Sequence, residues 1–199
     1  HKGGIHVSAV MKDSNMYEHI DPALVGNKQR VLVSDLSGKS NINFKANELD
    51  IKYKDSKEIT GQLVSKVKDL EFEGYQFEAA DASLELILRE LSGEYSPFFK
   101  VLDSKVHISY DESGTEKADA TLKVLVGEDI EHTASDGDGP VDALNNALRK
   151  ALAIFFPELK DVRLTDYKVR VLNEQEGTGA KVRVLIESAY EDDSWSTIG

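Results

Sequence analysis

The chain has 199 residues, a length that suits one or two domains, and it carries 36 acidic against 24 basic side chains, a formal net charge of −12 at neutral pH. Such a surface repels phosphate, which disfavours nucleic acids and anionic membranes as partners. The sequence has no cysteine and no apolar run of about 20 residues. This excludes disulfides and thiolate catalysis, argues against a membrane-spanning helix, and leads us to expect a cytoplasmic protein.

Residues 1–50 form the least regular part of the chain. Glycine and proline recur there, and the apolar residues are scattered except in Arg30–Ser34, a run that fits a buried strand and a helical turn equally well. A segment of this kind seldom buries a core alone, so we expect it to lie against other parts of a parent protein. The chain begins with His1 rather than Met, which leads us to expect a piece of a longer protein.

The next segment has the apolar spacing of two amphipathic helices. A helix over 56–73 is predicted by apolar residues at intervals of four, four and three, namely Ile59, Leu63, Val67 and Leu70. A second helix is predicted over 78–91, with Gly93 as its stop. Its apolar stripe consists of Ala80, Leu84, Ile87, Leu88 and Leu91. The short connection between the two helices favours a helical hairpin.

From about Pro97 the apolar period changes to two, which is typical of strands. Alternation predicts strands around 105–110 and 122–126, joined by the turn Asp111–Gly114, and a weaker third strand over 131–135. A helix is predicted to begin at Pro140, whose missing N–H costs no hydrogen bond in a first turn. Its predicted apolar face is Val141, Leu144, Leu148, Leu152 and Phe155.

This strand pattern occurs twice. Asp103–Val106 resembles Asp166–Val169, and Val124–Val126 resembles Val184–Ile186, about 60 residues further on. The repeated unit is strand–strand–strand–helix, and such a unit buries its sheet faces by pairing with its twin. The second copy reaches Gly199 where its helix should begin. We therefore expect a further helix outside this chain, because the uncovered sheet would otherwise be a large apolar patch.

Few residues point to chemistry on their own. His1 and His6 lie five apart but lack a third ligand at a matching spacing, so a metal site is disfavoured; a proton-transferring loop histidine and a plain surface histidine stay open. Ser37–Ser40 resembles the end of a phosphate-binding loop, but Val33 stands where that motif requires glycine. The acidic run 187–193 is typical of a solvated loop.

The Gly-rich turn Asp136–Pro140 is the most informative of these motifs. A calcium loop begun at Asp136 would need glutamate where Ala147 stands, so that reading fails. Gly137 and Gly139 precede a helix, and backbone N–H groups at a helix N-terminus attract carboxylate or phosphate. A tight strand-to-helix turn without a ligand explains the same residues equally well.

Several motifs resemble one enzyme family. His1–Val10 is similar to the segment that follows the catalytic barrel in the family of citramalate, 2-isopropylmalate and homocitrate synthases. The likeness continues through Tyr17–Pro22, Leu24–Asn27, Val31–Asn41, Gly74–Ala80 and Leu164–Leu172. The last two motifs fit the citramalate synthase branch.

The resemblance implies an architecture. In the family, a barrel with a divalent metal condenses acetyl-CoA with a 2-oxo acid, which is pyruvate in the citramalate branch. The chain then corresponds to a linker subdomain over 1–50, a helical linker subdomain over 51–95 and a regulatory, dimerising domain over 96–199. Because the barrel is absent, we expect this fragment to be inactive, with no cofactor and no metal of its own.

The resemblance also assigns site residues. His6, Asn15 and Tyr17 correspond to linker residues that the family places near the active site of the partner subunit, where His6 would help to deprotonate the acetyl methyl group. The Asn15 and Tyr17 pair is displaced by one residue from the family spacing.

A branched-chain amino acid is implied as a feedback inhibitor that binds between the two repeats. Its pocket corresponds to Gly137, Asp138, Gly139, Pro140, Val141, Leu164, Tyr167 and Val171. The helix N-terminus would hold its carboxylate, Asp138 its ammonium group, and Val141, Leu164 and Val171 its aliphatic side chain. Isoleucine is the expected effector, because citramalate feeds isoleucine synthesis.

The predicted fold class is therefore α+β, with helical linker subdomains followed by a duplicated strand–strand–strand–helix domain whose second helix is absent. The expected partners are a second copy of the chain and a branched-chain amino acid. Three alternatives stay open: the same region of a 2-isopropylmalate synthase with leucine as effector, a free-standing amino-acid sensor, and a dimerisation domain without a ligand.

Overall fold

The computed structural model describes residues 7–9, 12–13, 20, 22–26, 39–48 and 57–199. The chain divides into two compact units, Ser96–Arg163 and His1–Tyr95 together with Leu164–Gly199. We call them the first-repeat unit and the mixed unit. Helices and two three-stranded antiparallel sheets are both present, which confirms the predicted α+β class. The run Arg30–Ser34 lies outside the described residues.

The first-repeat unit is one antiparallel sheet with one helix on it. Strands β1 (Lys100–Tyr110), β2 (Glu116–Val126) and β3 (Asp129–Gly137) pair in chain order, and helix α4 (Pro140–Leu152) follows. A 3₁₀ turn at Pro157–Asp161 completes the unit. All three strands confirm the predicted ones; β1 and β2 begin earlier than predicted and end at the predicted residues, and β3 extends beyond its prediction at both ends.

The core of this unit comes from two periodicities. Every second residue of β2 from Ala118 to Val126 is buried, as the period of a strand requires. From α4 the buried residues are Ala143, Ala147, Ala151 and Leu152. Because alanine has a short side chain, the helix axis can lie close to the sheet.

The predicted apolar face of this helix is wrong at one end. Val141 is 60% exposed, whereas Leu144, Leu148 and Phe155 pack against the edge of the core as partly buried residues. The alanine stripe, which the sequence pattern did not single out, makes the closest contact with the sheet. Large apolar residues beside that stripe cover its flank.

The mixed unit contains the helical hairpin and the second sheet. Its helices are α1 (Lys39–Glu48), α2 (Lys57–Phe72) and α3 (Asp81–Ser92), with a 3₁₀ turn at Phe77–Ala79. Strands β4 (Arg163–Val171), β5 (Val182–Tyr190) and β6 (Asp193–Ile198) pair in chain order. The two predicted helices and the stop at Gly93 are confirmed, since Gly93 has a left-handed conformation and its N–H bonds back to the last turn of α3.

One hydrophobic cluster joins the three helices. Its buried members are Ile42, Leu63, Val67, Phe77, Leu84 and Leu88, and Ile198 of β6 packs against them. The second sheet is attached at the same place, because the Ser83 hydroxyl accepts a hydrogen bond from the Ile198 N–H at 2.9 Å. Helix α1 brings Lys45 into this core, where its ammonium pairs with Glu48 at 2.9 Å and Asp81 at 3.2 Å.

Within these described residues, no helix combines the length and the apolar composition that a membrane span requires.

Candidate functional site

The turn between β3 and α4 places the five predicted effector residues of the first repeat side by side. Gly137 ends β3, opposite Ala118 of β2, and Gly139 is the residue before the first turn of α4. Pro140 and Val141 are the first two residues of the helix. Pro140 presets the helical φ, so the chain turns from strand to helix within three residues.

The two glycines of this turn have different roles. A Cβ on Gly137 would lie 2.2 Å from the backbone nitrogen of Ala143 and 2.7 Å from its Cα, so only glycine allows α4 to approach β3 this closely. A Cβ on Gly139 would meet nothing within 4 Å. Of the two glycines expected to frame an anion, only Gly139 therefore faces open space.

The protein already supplies a carboxylate to this helix start. Asp142 accepts a hydrogen bond from the Asp138 N–H at 3.1 Å and another from the Asn146 amide at 3.3 Å. The Asn146 amide also donates to the Asp136 carbonyl at 3.1 Å, which fixes the turn. An acidic side chain in the first turn is favourable with respect to the helix dipole. A ligand carboxylate at this position would share the helix start with Asp142.

The remaining predicted effector residues lie on β4, in the mixed unit. Leu164, Tyr167 and Val171 are all exposed. Tyr167 and Val171 share one face of the strand with Val169, because side chains alternate along a strand. Leu164 lies on the opposite face of β4. Of the eight predicted effector residues, five thus belong to the first-repeat unit and three to the mixed unit.

The two strands that begin the repeats carry the same ion pair. The Lys105 ammonium lies 3.2 Å from the Asp103 carboxylate on β1, and Lys168 bonds Asp166 in the same way on β4. The hydrogen bond from Lys168 lowers the pKa of Asp166, and Asp166 in turn raises the pKa of Lys168. This correspondence, together with the equal strand order of the two sheets, confirms the internal repeat.

The comparison with known protein families places both repeats within one family model. A family model described as the LeuA allosteric (dimerisation) domain matches residues 78–199. The chain belongs to this family. A second model, the homocitrate synthase post-HMGL domain-like family, matches residues 1–74. The boundary between the two matches falls at the connection between α2 and α3.

Several curated relatives of this chain are named (R)-citramalate synthase. The chain is 50% identical over 204 residues to an (R)-citramalate synthase of Geobacter sulfurreducens, 48% identical over 200 residues to one of Aquifex aeolicus, and 43% identical over 201 residues to one of Streptomyces coelicolor. The match covers 100% of this chain and 38% of the length of each of these three relatives. The resemblance to the citramalate synthase family is therefore confirmed for the part of those proteins that this chain spans.

The LeuA-type domain leaves a row of apolar residues uncovered. Ala118 and Ala120 face α4, and their partners on β1 are Ile108 and Val106, so these two side chains lie on the same face of the sheet. Helix α4 lies over β2 and β3, and Ile108 and Val106 remain 45% and 41% exposed. Alternation along β1 predicted these residues to lie on one face of a strand, and the width of one helix does not extend over β1.

The predicted catalytic residues His6, Asn15 and Tyr17 lie outside the described residues, as does the Ser37–Gly38 part of the rejected phosphate-loop motif. In the part of the chain that is described, no group of three or more His, Asp or Glu side chains is arranged to hold a metal ion.

Proposed function

We propose that this chain is the linker and regulatory part of a citramalate synthase and binds isoleucine as a feedback inhibitor. The observation that carries this proposal is the likeness to (R)-citramalate synthases over the whole chain, at 40–50% identity in five relatives. In this proposal, a barrel upstream of the chain holds the divalent metal and acetyl-CoA and condenses acetyl-CoA with pyruvate. The fragment itself is then inactive.

The geometry of the Gly-rich turn supports an amino-acid effector. The N–H groups of Val141 and Asp142 lie in the first turn of α4, where no carbonyl one turn earlier within the helix can accept them. In the proposed complex they bind the effector carboxylate. Asp138 binds its ammonium group, which the acidic surroundings of the turn favour.

The apolar part of the proposed pocket comes from both repeats. Val141 is exposed beside the helix start, and Tyr167 and Val171 are exposed on one face of β4, with Leu164 exposed on the other. Burial of their surface against an aliphatic side chain would contribute about 0.8 kcal/mol for each CH₂ group. Isoleucine and leucine have the same number of carbons, so the shape of the pocket must distinguish them.

Calorimetric titration of the chain with isoleucine and leucine tests this proposal. Isoleucine is expected to bind more tightly, and Asp138→Asn is expected to weaken it about tenfold, because a hydrogen bond to a charged group contributes about 1.5–3 kcal/mol. Asp161→Asn removes the same charge elsewhere in the first-repeat unit and should leave the affinity unchanged. Tighter binding of leucine would favour the region of a 2-isopropylmalate synthase, and binding of neither would leave a dimerisation domain.

We also propose a homodimer that forms through the uncovered face of β1. Ile108 and Val106 are accompanied by Tyr110, which is also exposed, and β1 is an edge strand of its sheet. An exposed apolar row on a long edge strand is a typical protein interaction surface. The family description as a dimerisation domain supports a second copy of the chain as the partner.

Sedimentation equilibrium tests the dimer with two neighbouring variants. Ile108→Lys places a charge on the apolar face and is expected to yield a monomer. Ser109→Lys places the same charge on the opposite face, because successive side chains of a strand alternate, and it should leave the dimer intact. Dimers of equal strength in both variants would refute the proposed interface.

In the proposed full enzyme, the linker residues His6, Asn15 and Tyr17 act at the active site of the partner subunit. An imidazole suits removal of a proton from the acetyl methyl group near neutral pH. His6→Ala in the full enzyme is therefore expected to reduce kcat by about two orders of magnitude or more, while acetyl-CoA affinity changes little. An unchanged kcat would remove His6 from the mechanism.

A further inference from the structure

A cavity lies in the mixed unit, away from the Gly-rich turn. It has a volume of about 230 Å³ and is half open to solvent. Its walls come from the end of α2, from the facing ends of β4 and β5, and from Gly199, which pairs with Val184. Ligand pockets for drug-sized molecules usually measure about 300–1,000 Å³, so a cavity of this size suits a smaller metabolite.

Glycine at position 74 shapes this cavity. Gly74 has a φ of +109°, a left-handed value that L-residues with side chains rarely adopt. A Cβ on Gly74 would also lie 2.2 Å from a methyl group of Leu172. The bare backbone lets Leu172 lie against the end of α2 and leaves the Gly74 carbonyl accessible.

The charged side chains of the cavity favour an anion. Arg183 donates one hydrogen bond to the Gly74 carbonyl at 2.9 Å, which fixes the guanidinium while its other N–H groups stay available. Lys181 also lines the cavity, and within the described part of the chain neither cation forms an ion pair with a carboxylate. Glu73 is the one acidic side chain among the cavity residues, so the lining side chains comprise two cations and one carboxylate.

The other walls are apolar or aromatic. Leu172, Val182 and the ring of Tyr75 line the cavity, and Tyr75 is held by stacking on Phe77 with ring centroids 6.0 Å apart. A fixed guanidinium next to a small apolar wall matches a carboxylate on a short aliphatic chain. We propose that this cavity, the Arg183 cavity, binds a small aliphatic carboxylate, separately from the proposed effector site.

Four probes on one carbon skeleton test this proposal by amide chemical-shift titration of the 199-residue chain. They are 3-methylbutanoate, its 2-oxo and 2-amino derivatives, and the neutral 3-methylbutanamide. The three carboxylates are expected to shift the backbone amide resonances of residues 73–75 and 181–183. The neutral 3-methylbutanamide should leave these resonances unchanged. Stronger binding of the 2-amino acid would indicate that Glu73 binds an ammonium group, and stronger binding of the 2-oxo acid that it does not.

Variants separate binding from folding. Arg183→Gln is expected to weaken the carboxylates about tenfold or more, and Lys181→Gln about threefold, because Arg183 is fixed and Lys181 is a mobile exposed cation. Lys160→Gln changes the same charge in the first-repeat unit and should have no effect. If Arg183→Gln loses the native amide spectrum, Lys181→Gln decides the question.

The outcome is independent of the proposed effector site. Shifts confined to 137–141 would refute the Arg183 cavity as a binding site while supporting the effector proposal. Equal binding of the amide and the carboxylates, or equal binding by Lys181→Gln and Lys160→Gln, would also refute it. Shifts at 181–183 without shifts at 137–141 would support the cavity, while the isoleucine titration decides the effector site separately.

Discussion

In the first repeat, α4 lies on β2 and β3, and every second residue of β2 from Ala118 to Val126 is buried; in the second repeat, the matching strand β5 buries Ala189 alone. Val182, Val184 and Ile186 of β5 repeat the alternation of β2, and both strands stand at the centre of a three-stranded sheet. The difference lies in what covers them. A helix of its own follows the first sheet, whereas the second contacts the described helices mainly through β6 and α3.

This difference shows that alternation decides which face of a strand is apolar, while the neighbouring element decides whether that face is buried. The same point explains β1 and β4. Val106 and Ile108 correspond to Val169 and Val171 in the repeat, and all four are exposed. At these equivalent positions no element of the described residues covers either strand, and we have proposed a different role for each: dimerisation for β1 and effector binding for β4.

The largest effect is expected from a substitution that prevents the close approach of helix and sheet in the first repeat. Gly137→Ala forces a Cβ against the backbone of Ala143, so α4 must move away from β3. We expect a loss of about 3 kcal/mol or more in the free energy of unfolding of the first-repeat unit. Hydrogen exchange of the β2 amides would measure it, and the β5 amides would serve as an internal reference.

Gly139→Ala is the matched control for this substitution. Its new Cβ meets no atom within 4 Å, and its extended backbone is accessible to alanine. The change should stay within about 0.5 kcal/mol. Equal protection of β2 in both variants would show that the helix does not depend on glycine at position 137.

The next prediction compares substitutions at matching positions of the two central strands, β2 and β5. Val124 is fully buried, and its counterpart in the repeat, Val184, is half-buried. Val124→Ala removes two methyl groups from a packed core and is expected to destabilise the first-repeat unit by about 2 kcal/mol, whereas Val184→Ala should cost less than about 1 kcal/mol. Urea unfolding followed at amides of each sheet would distinguish them, and equal losses would mean that the second sheet is also covered.

Much of this fold could be predicted from the sequence, because helix and strand periods are local. The helix stripe from Leu63 to Val67, the stop at Gly93 and the duplicated strands all follow from residue spacing. Helix α1 could not be predicted in this way, since the apolar residues in Lys39–Glu48 are sparse, and Ile42 is buried because α2 and α3 lie against it. The sequence also predicted the Gly-rich turn as a site. It could not distinguish the two glycines, because only the packing of α4 on β3 shows that Gly137 is needed for close contact and that Gly139 faces open space.

A smaller effect concerns the side chain that holds the end of the first repeat. Arg149 of α4 donates to the carbonyls of Leu159 at 2.7 Å and Val162 at 2.9 Å, just before β4 begins. Arg149→Lys keeps the charge but cannot span both acceptors, because lysine lacks the planar fork. We expect a loss of about 1 kcal/mol and faster hydrogen exchange at the Val162 amide. Arg170→Lys on the exposed face of β4 is the control and should leave that amide unchanged.

The smallest effect is expected in the turn between β1 and β2, which differs from the connection between β4 and β5. Between β1 and β2, the Asp111 carboxylate accepts hydrogen bonds from the Ser113 hydroxyl at 2.5 Å and the N–H groups of Ser113 and Thr115 at 2.9 and 3.0 Å, whereas Asn173 occupies the start of the longer connection between β4 and β5. The hydrogen bond from the Ser113 hydroxyl, followed by that from the Thr115 N–H, lowers the pKa of Asp111 below 3.8.

A carboxyl group whose pKa is lowered by folding stabilises the protein above its unfolded pKa, and this contribution is lost as the pH falls through the folded value. Asp111→Asn should therefore be slightly less stable than the natural chain at neutral pH, with the difference shrinking below about pH 4. Thermal unfolding of both proteins between pH 3 and 7 measures this difference. Because Asp111 is exposed, its substitution should change the stability least among the four substitutions predicted here. A stability difference that grows with acidity would show that the carboxylate does not stabilise the turn.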